Sequence, residues 1–154
     1  MEPLSYLADY RSYIPLLAEH LYHQFNCFDP IRTLASYKAE LQQNCNYTRL
    51  PMTYLIQQND TLWGTASLCI SDLESHSHLT PWLANVYTFE AYRKRGVGRS
   101  LVKHVILQAK NLGFDKLYLF TADQTAWYQK LDWQIIDHSS LNDIPIVIME
   151  YDLT

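Results

Sequence analysis

Residues 81–113, PWLANVYTFEAYRKRGVGRSLVKHVILQAKNLG, constrain the fold more than any other part of the chain. An extended apolar and aromatic run, WLANVYTF, leads into Tyr92 to Leu101, ten residues that hold four cationic side chains and two glycines. From there Val97, Leu101, Val105, Ala109 and Leu112 recur at helical spacing, and Val102 and Ile106 widen the apolar stripe. Gly113 stands where a glycine ends a helix. One continuous segment therefore predicts strand, glycine-rich turn and helix.

That order builds an anion site out of main chain. The first N–H groups of a helix have no internal acceptor, and the aligned peptide dipoles add roughly half a positive charge at that end. Gly96 and Gly98 remove the Cβ atoms that would keep an anion away, while Arg93, Lys94, Arg95 and Arg99 can reach its outer oxygens. A pyrophosphate has the right size. The segment is not a P-loop, which needs Gly-x-x-x-x-Gly-Lys-Ser/Thr, nor the dinucleotide fingerprint, because position 101 is Leu where a third glycine is required. It does fit Arg/Gln-x-x-Gly-x-Gly/Ala, as Arg93-Lys94-Arg95-Gly96-Val97-Gly98.

The basic patch is local. Over 154 residues the formal charge is −4, so the chain lacks the broad basic face of a nucleic-acid binder, and contact with nucleic acid through RKRG is the weaker reading. The three cysteines, Cys27, Cys45 and Cys69, are too few and scattered for a disulfide framework and form no Cys-x-x-Cys pair. Without a cationic leader or 18 consecutive apolar residues, the sequence predicts a soluble, cytoplasmic protein with no membrane partner.

The remaining segments supply two N-terminal helices and further strands. Pro3 to Leu7 predicts a short strand, and Ser12 to about Phe25 a helix with Ser12 as N-cap and Pro15 in the first turn. Asp29 as cap and Pro30 at the first helical position predict a second helix reaching about Gln43. Met52 to Gln57 and Leu62 to Ile70 form a hairpin about Asn59-Asp60, and Ser71 to Thr80 is a polar loop. After the central helix come a strand at Lys116 to Thr121, a helix of about two turns near Asp123 to Lys130, and strands at Trp133 to Asp137 and Ile146 to Tyr151. No repeat or linker divides the chain, so residues 1–154 are expected to form one α+β domain around a mixed sheet.

The run from Pro81 to Trp133 resembles the acetyl-CoA-binding core of the GNAT superfamily of N-acetyltransferases, small bacterial-type members in particular. The resemblance extends more loosely to the N-terminal helices, the hairpin and the last strand, IVIMEYDL. It implies a mixed, mostly antiparallel sheet of about six to seven strands with helices on both faces. It also implies acetyl-CoA as co-substrate, no metal, and a small-molecule or peptide amine as acceptor, with a homodimer possible.

Carried onto this chain, the resemblance sets Val86, Tyr87 and Thr88 along the pantetheine arm, and Arg93, Lys94, Arg95, Gly96, Val97, Gly98, Arg99 and Ser100 around the pyrophosphate. Tyr128, in WYQKLDW, falls where the family pattern has a tyrosine beside the coenzyme sulfur. Three positions depart from that pattern: Phe89-Glu90 replaces a residue-proline step, Trp127 a phenylalanine, and Asp132 a glycine.

Amide formation from a thioester needs a deprotonated amine, a donor for the developing oxyanion and a proton for the departing thiolate. A tyrosine hydroxyl suits the last role. Asp72, Glu74, His76, His78 and water are the candidates for the base, with a solvated polar loop as the plainer reading of those four side chains. Because no base stands out, a coenzyme-binding sensor without turnover is the alternative to an N-acetyltransferase. Asn85 can face the amine or be an ordinary half-buried strand residue, His20 and His23 flank the core or face solvent, and His104 is expected on the outer side of its helix.

Overall fold

The computed structural model describes residues 4–154. Its strands are β1 (Leu4–Tyr6), β2 (Met52–Gln58), β3 (Thr61–Cys69), β4 (Trp82–Thr88), β5 (Lys116–Thr121), β6 (Gln134–Leu141) and β7 (Ile144–Asp152). Four helices join them: α1 (Ile14–Phe25), α2 (Leu34–Gln43), α3 (Val97–Asn111) and α4 (Thr125–Gln129). The seven strands form one mixed sheet in the order β1-β2-β3-β4-β5-β7-β6. Every neighbouring pair is antiparallel except β4 and β5, which α3 connects.

Strand alternation divides the core between the two faces of the sheet. Tyr54 and Ile56 of β2 join Val97, Leu101, Val105 and Ala109 of α3 in one apolar cluster. Leu55 between them points the other way, into a cluster with Leu17 and Leu21 of α1 and Leu41 of α2. Helices thus cover both faces, as the sequence implied. The stripe on α3 is buried from Val97 to Ala109, whereas Leu112 is exposed, and Gly113, just beyond the helix, has a φ of 90° in the left-handed region.

Two predicted helix starts shift. The second helix begins at Leu34 rather than Pro30, because Thr33 is its N-cap and accepts from the Ser36 N–H at 3.1 Å. Asp29 and Pro30 lie in a preceding turn, and Ile31 is 88% exposed, so a longer helix would gain no burial there. Ser12 caps nothing. It sits in a one-turn 3-10 helix, Arg11–Tyr13, that runs directly into α1.

The hairpin at Asn59-Asp60 forms as predicted, with φ values of 53° and 60°. Asn142 and Asp143, at 48° and 63°, make a second two-residue turn that extends β6 and β7 beyond their predicted ends. The strand expected from Pro3 is found at Leu4–Tyr6; Pro3 itself lies outside the described residues. Among the described residues no helix is long and apolar enough to cross a membrane.

Candidate active site

The parallel ladder between β4 and β5 is one residue pair long, Trp82 with Tyr118. The Tyr118 N–H also reaches the Pro81 carbonyl at 3.0 Å, and beyond this point the strands part. A bulge in β4 accompanies the divergence: Thr65 pairs with Tyr87 and Ser67 with Ala84, so Ala66 of β3 faces both Asn85 and Val86. Asn85 adopts φ 55°, a conformation asparagine tolerates better than most side chains. Main-chain groups of β4 that would bond to a neighbouring strand are thereby left facing a gap.

The glycine-rich turn expected to hold the pyrophosphate lies between the end of β4 and α3. Gly96 is the N-cap of α3 with φ 80°, a left-handed conformation that glycine adopts without strain. A Cβ on Gly98 would lie 3.5 Å from Thr88 Oγ1 and 3.6 Å from the Trp127 ring, so the main chain here is closely bordered by strand and by α4. Arg93 turns back on β4, its Nε donating to the Thr88 carbonyl at 2.9 Å and its guanidinium 5.7 Å from the Tyr87 ring centroid. The Arg95 guanidinium lies over Tyr92, which stacks on Trp63 at 4.7 Å. Val97 is buried in the core, so its side chain only anchors the helix, and the Ser100 N–H bonds to the Gly96 carbonyl.

Arg99 borders a separate groove of about 200 Å³ between α3 and the turn after α4, with Lys103, Lys130 and Asp132. Lys103 and Lys130 were not singled out by the sequence reading. Lys103 is one helical turn beyond Arg99, a spacing that would have marked it. Asp132 has φ 74°, so it takes up the left-handed conformation of the glycine it replaces in the family pattern.

Where β4 and β5 separate, a cavity of about 750 Å³ opens between the sheet, the C-terminal end of α1, the Ser71–Thr80 loop and the β6–β7 hairpin. Val86 lines it, whereas Tyr87 packs on the opposite side against His20 and Phe89, and Thr88 faces Gly98. Of the three residues expected along the pantetheine arm, Val86 alone therefore presents its side chain to the cavity. Asn85 lines it too. Two walls are tied together by Asn142, whose Nδ2 donates to the Cys27 carbonyl at 2.9 Å.

Tyr128 borders this cavity from α4 and is 7% exposed. Burial, reinforced by Asp123, raises its pKa, so the hydroxyl stays protonated at neutral pH. Asp72 borders the cavity from the Ser71–Thr80 loop. Surrounded by protein but open to the cavity, it has its pKa pushed up to about 8, by burial first and by Glu40 second, with Arg32 opposing. No hydrogen bond or ion pair holds its carboxylate among the described residues.

The other base candidates are arranged differently. Glu74 lines the cavity but is exposed. His76 is engaged on both ring nitrogens, Nδ1 with Ser75 Oγ and Nε2 with Asp137, each at 2.7 Å, and thereby fastens the loop to β6. His78 is exposed. His20 Nδ1 lies 3.1 Å from the Tyr87 hydroxyl. His104, expected on the outer side of α3, is half-buried with its ring edge-on to Tyr54, and burial lowers its pKa.

Comparison with known proteins settles the class that this fold and opening suggest: the chain belongs to the acetyltransferase (GNAT) family, whose sequence profile matches residues 18–133. No curated protein sequence matches it. Among solved structures it is similar to an acetyltransferase of the GNAT family from Staphylococcus aureus Mu50 (20% identity, 99% of this chain and 100% of that one covered, TM-score 0.70). It is also similar to yncA from Salmonella typhimurium, solved with its cofactor acetyl-CoA (16%, 99% and 94%, 0.70). An aminoglycoside 6'-N-acetyltransferase complexed with coenzyme A matches at 17% identity, over 91% of this chain and 92% of that one, with a TM-score of 0.65. At these identities the likeness is one of fold.

Proposed function

We propose that the protein moves the acetyl group of acetyl-CoA onto a primary amine by direct attack in a ternary complex. One observation carries the reading: the single-rung junction of β4 and β5 opens from a helix-start anion cradle into a cavity bordered by Asp72 and Tyr128. The residues fit the coenzyme, because Gly96 in its left-handed conformation opens a helix N-terminus beside the strand, and the parted strand offers unpaired groups to an amide-rich arm. Arg99, Lys103 and Lys130 would meet phosphate at its nucleotide end.

Acetyl-CoA supplies an activated acyl carbon and a thiolate leaving group. The chain's part is to bind, orient and manage protons. Asp72, ionised, takes a proton from the acceptor's ammonium; a base with a pKa near 8 is better matched to an amine than an exposed carboxylate near 4. Tyr128 sits well above the roughly 8.5 of an ordinary thiol, so complete proton transfer to a departing thiolate is uphill and a hydrogen bond is its larger contribution. Holding both substrates in one cavity adds the advantage of proximity.

A sensor that binds coenzyme without turnover has no use for an unpartnered carboxylate beside the splayed strands, and Asp72 therefore favours the enzyme. Calorimetry of the purified chain with acetyl-CoA tests the binding step, and thiol release with an amine panel tests the transfer. Absence of heat and of any thermal shift at high acetyl-CoA would remove the proposal; binding without thiol release from any amine would leave the sensor.

A further inference from the structure

Four carboxylates line the cavity, those of Asp29, Asp72, Glu74 and Asp123. One cationic side chain, Arg32, faces them, and its charge is already committed: Nη2 meets Glu40 at 2.5 Å and the guanidinium lies 3.7 Å over the Tyr37 ring. Gln24, Asn85, Thr121 and Gln124 add neutral polar groups, and among the described residues no lysine lines the space. The ionisable side chains that line the space are therefore mostly acidic.

Asp29, Glu74 and Asp123 are exposed, whereas Asp72 is half-buried. It lines the cavity without a hydrogen bond or ion pair to its carboxylate among the described residues. The groups around it are Glu40, Arg32, Tyr37 and Cys69; of these Arg32 is the cation, and Glu40 holds it. Burial and Glu40 oppose the ionisation of Asp72, so at neutral pH it holds its proton much of the time, and a cationic ligand beside it would favour the charged form.

Resting on the acetyltransferase reading above, we infer that the acceptor is a small molecule carrying two or more amino groups, one received by Asp72 for acetylation and another held by the outer carboxylates, Glu74 and Asp29. The cavity's dimensions suit this. At about 750 Å³ it falls within the usual range for small-molecule sites of roughly 300–1,000 Å³, and part of it must also take the acetyl end of the coenzyme. The bond from Asn142 to Cys27 holds two of its walls together. Protons balance as follows: the ammonium nitrogen that becomes the amide gives up two, of which one ends on the coenzyme sulfur as the S–C bond breaks and one is released to solvent. The second ammonium stays charged and is not consumed.

The test measures thiol release at saturating acetyl-CoA with a matched series: a linear monoamine, the diamine and triamine of the same spacing, an amino-sugar with several amino groups, α-amino acids and a lysine-containing peptide. The expected result is a kcat/KM for the oligoamines at least roughly tenfold above the monoamine, with the advantage shrinking as salt is raised. Whether the linear or the amino-sugar arm is preferred separates the two sources of that chemistry. Glu74→Gln and Asp29→Asn should each narrow the oligoamine-to-monoamine ratio, mostly through KM. Calorimetry of the triamine against the coenzyme A complex gives a readout independent of turnover.

Equal or better use of the monoamine, the amino acids or the peptide overturns the inference while leaving the transferase standing. Acetyl-CoA binding with no oligoamine bound or acetylated overturns it as well. Failure of acetyl-CoA to bind removes the underlying reading and this inference together.

Discussion

Gly64 of β3 and Val97, the first residue of α3, approach so closely that a Cβ on Gly64 would stand 2.8 Å from Val97 Cγ1. The same Cβ would be 2.9 Å from the Tyr87 carbonyl oxygen and 3.1 Å from Leu101 Cδ1. The helix whose N-terminus is the proposed cradle is thus seated on the sheet at a point where no side chain fits. Valine can rotate away, but the β4 carbonyl cannot. Gly64→Ala should destabilise the fold by roughly 1–3 kcal/mol, seen as a Tm lower by roughly 3–10 °C. An unchanged Tm would mean that α3 is free to lift.

Gly96→Asp places a side chain and a negative charge at the N-cap of α3, at a backbone φ of 80°. Aspartate tolerates that conformation and caps helices well, so the fold should survive. Acetyl-CoA affinity should fall by roughly tenfold or more through charge repulsion of the pyrophosphate. Neutralising Arg93 should cost less, since its guanidinium is already shared with the Thr88 carbonyl. Calorimetry on variants with wild-type circular dichroism decides this, and equal affinities would move the pyrophosphate elsewhere.

Tyr128→Phe keeps the ring that packs at 4.9 Å against Trp127 and 5.9 Å against Trp133, and removes the hydroxyl. Single-turnover chemistry should slow by roughly 10²-fold, with acetyl-CoA binding little altered, because the cradle belongs to a different segment. Single-turnover measurement avoids masking by product release. Full-speed chemistry would leave Tyr128 a packing residue.

Asp72→Asn should stabilise the protein, and the effect should depend on pH. A carboxyl whose folded pKa is raised to about 8 lets the unfolded chain ionise first, so the stability penalty begins near the ordinary value, builds with rising pH and is complete above about 8. The Tm gain of the variant should therefore be small at pH 5 and largest at pH 8.5, while its acetyl transfer falls. A loss of stability at pH 8.5 would show instead that the Asp72 carboxylate is satisfied in the folded protein.

The cradle was legible because its parts are adjacent in the chain: glycines, cations and an amphipathic helix within some twenty residues state their own geometry. The same holds for the Asn59-Asp60 turn and for Gly113, where local backbone preference coincides with the global fold. The start of α2 was misread for the converse reason. Asp29-Pro30 and Thr33 are both good initiators, and burial decides between them, since Ile31 has nothing to pack against while Tyr37 and Leu41 do.

The cavity was not legible. Asp72 stood in the sequence as one of four polar residues on a loop, indistinguishable from Glu74, His76 and His78. What sets it apart is its place on the cavity beside Glu40 and the Arg32 pair, and these come from α2 and the segment before it. Likewise Tyr87 and Val86, neighbours in sequence, separate onto opposite faces because a bulge and a one-rung ladder fix which of them meets the gap.

The sequence by itself determined the family, the order of strands and helices, and the glycine-rich helix start, because each depends on residues close along the chain. The proposed acceptor end was decided by tertiary structure alone: it is assembled from α1, the segment before α2, the Ser71–Thr80 loop, the end of β5 and the β6–β7 hairpin. Charge and burial at such a site depend on distances between segments far apart in sequence, and only the folded sheet sets those distances.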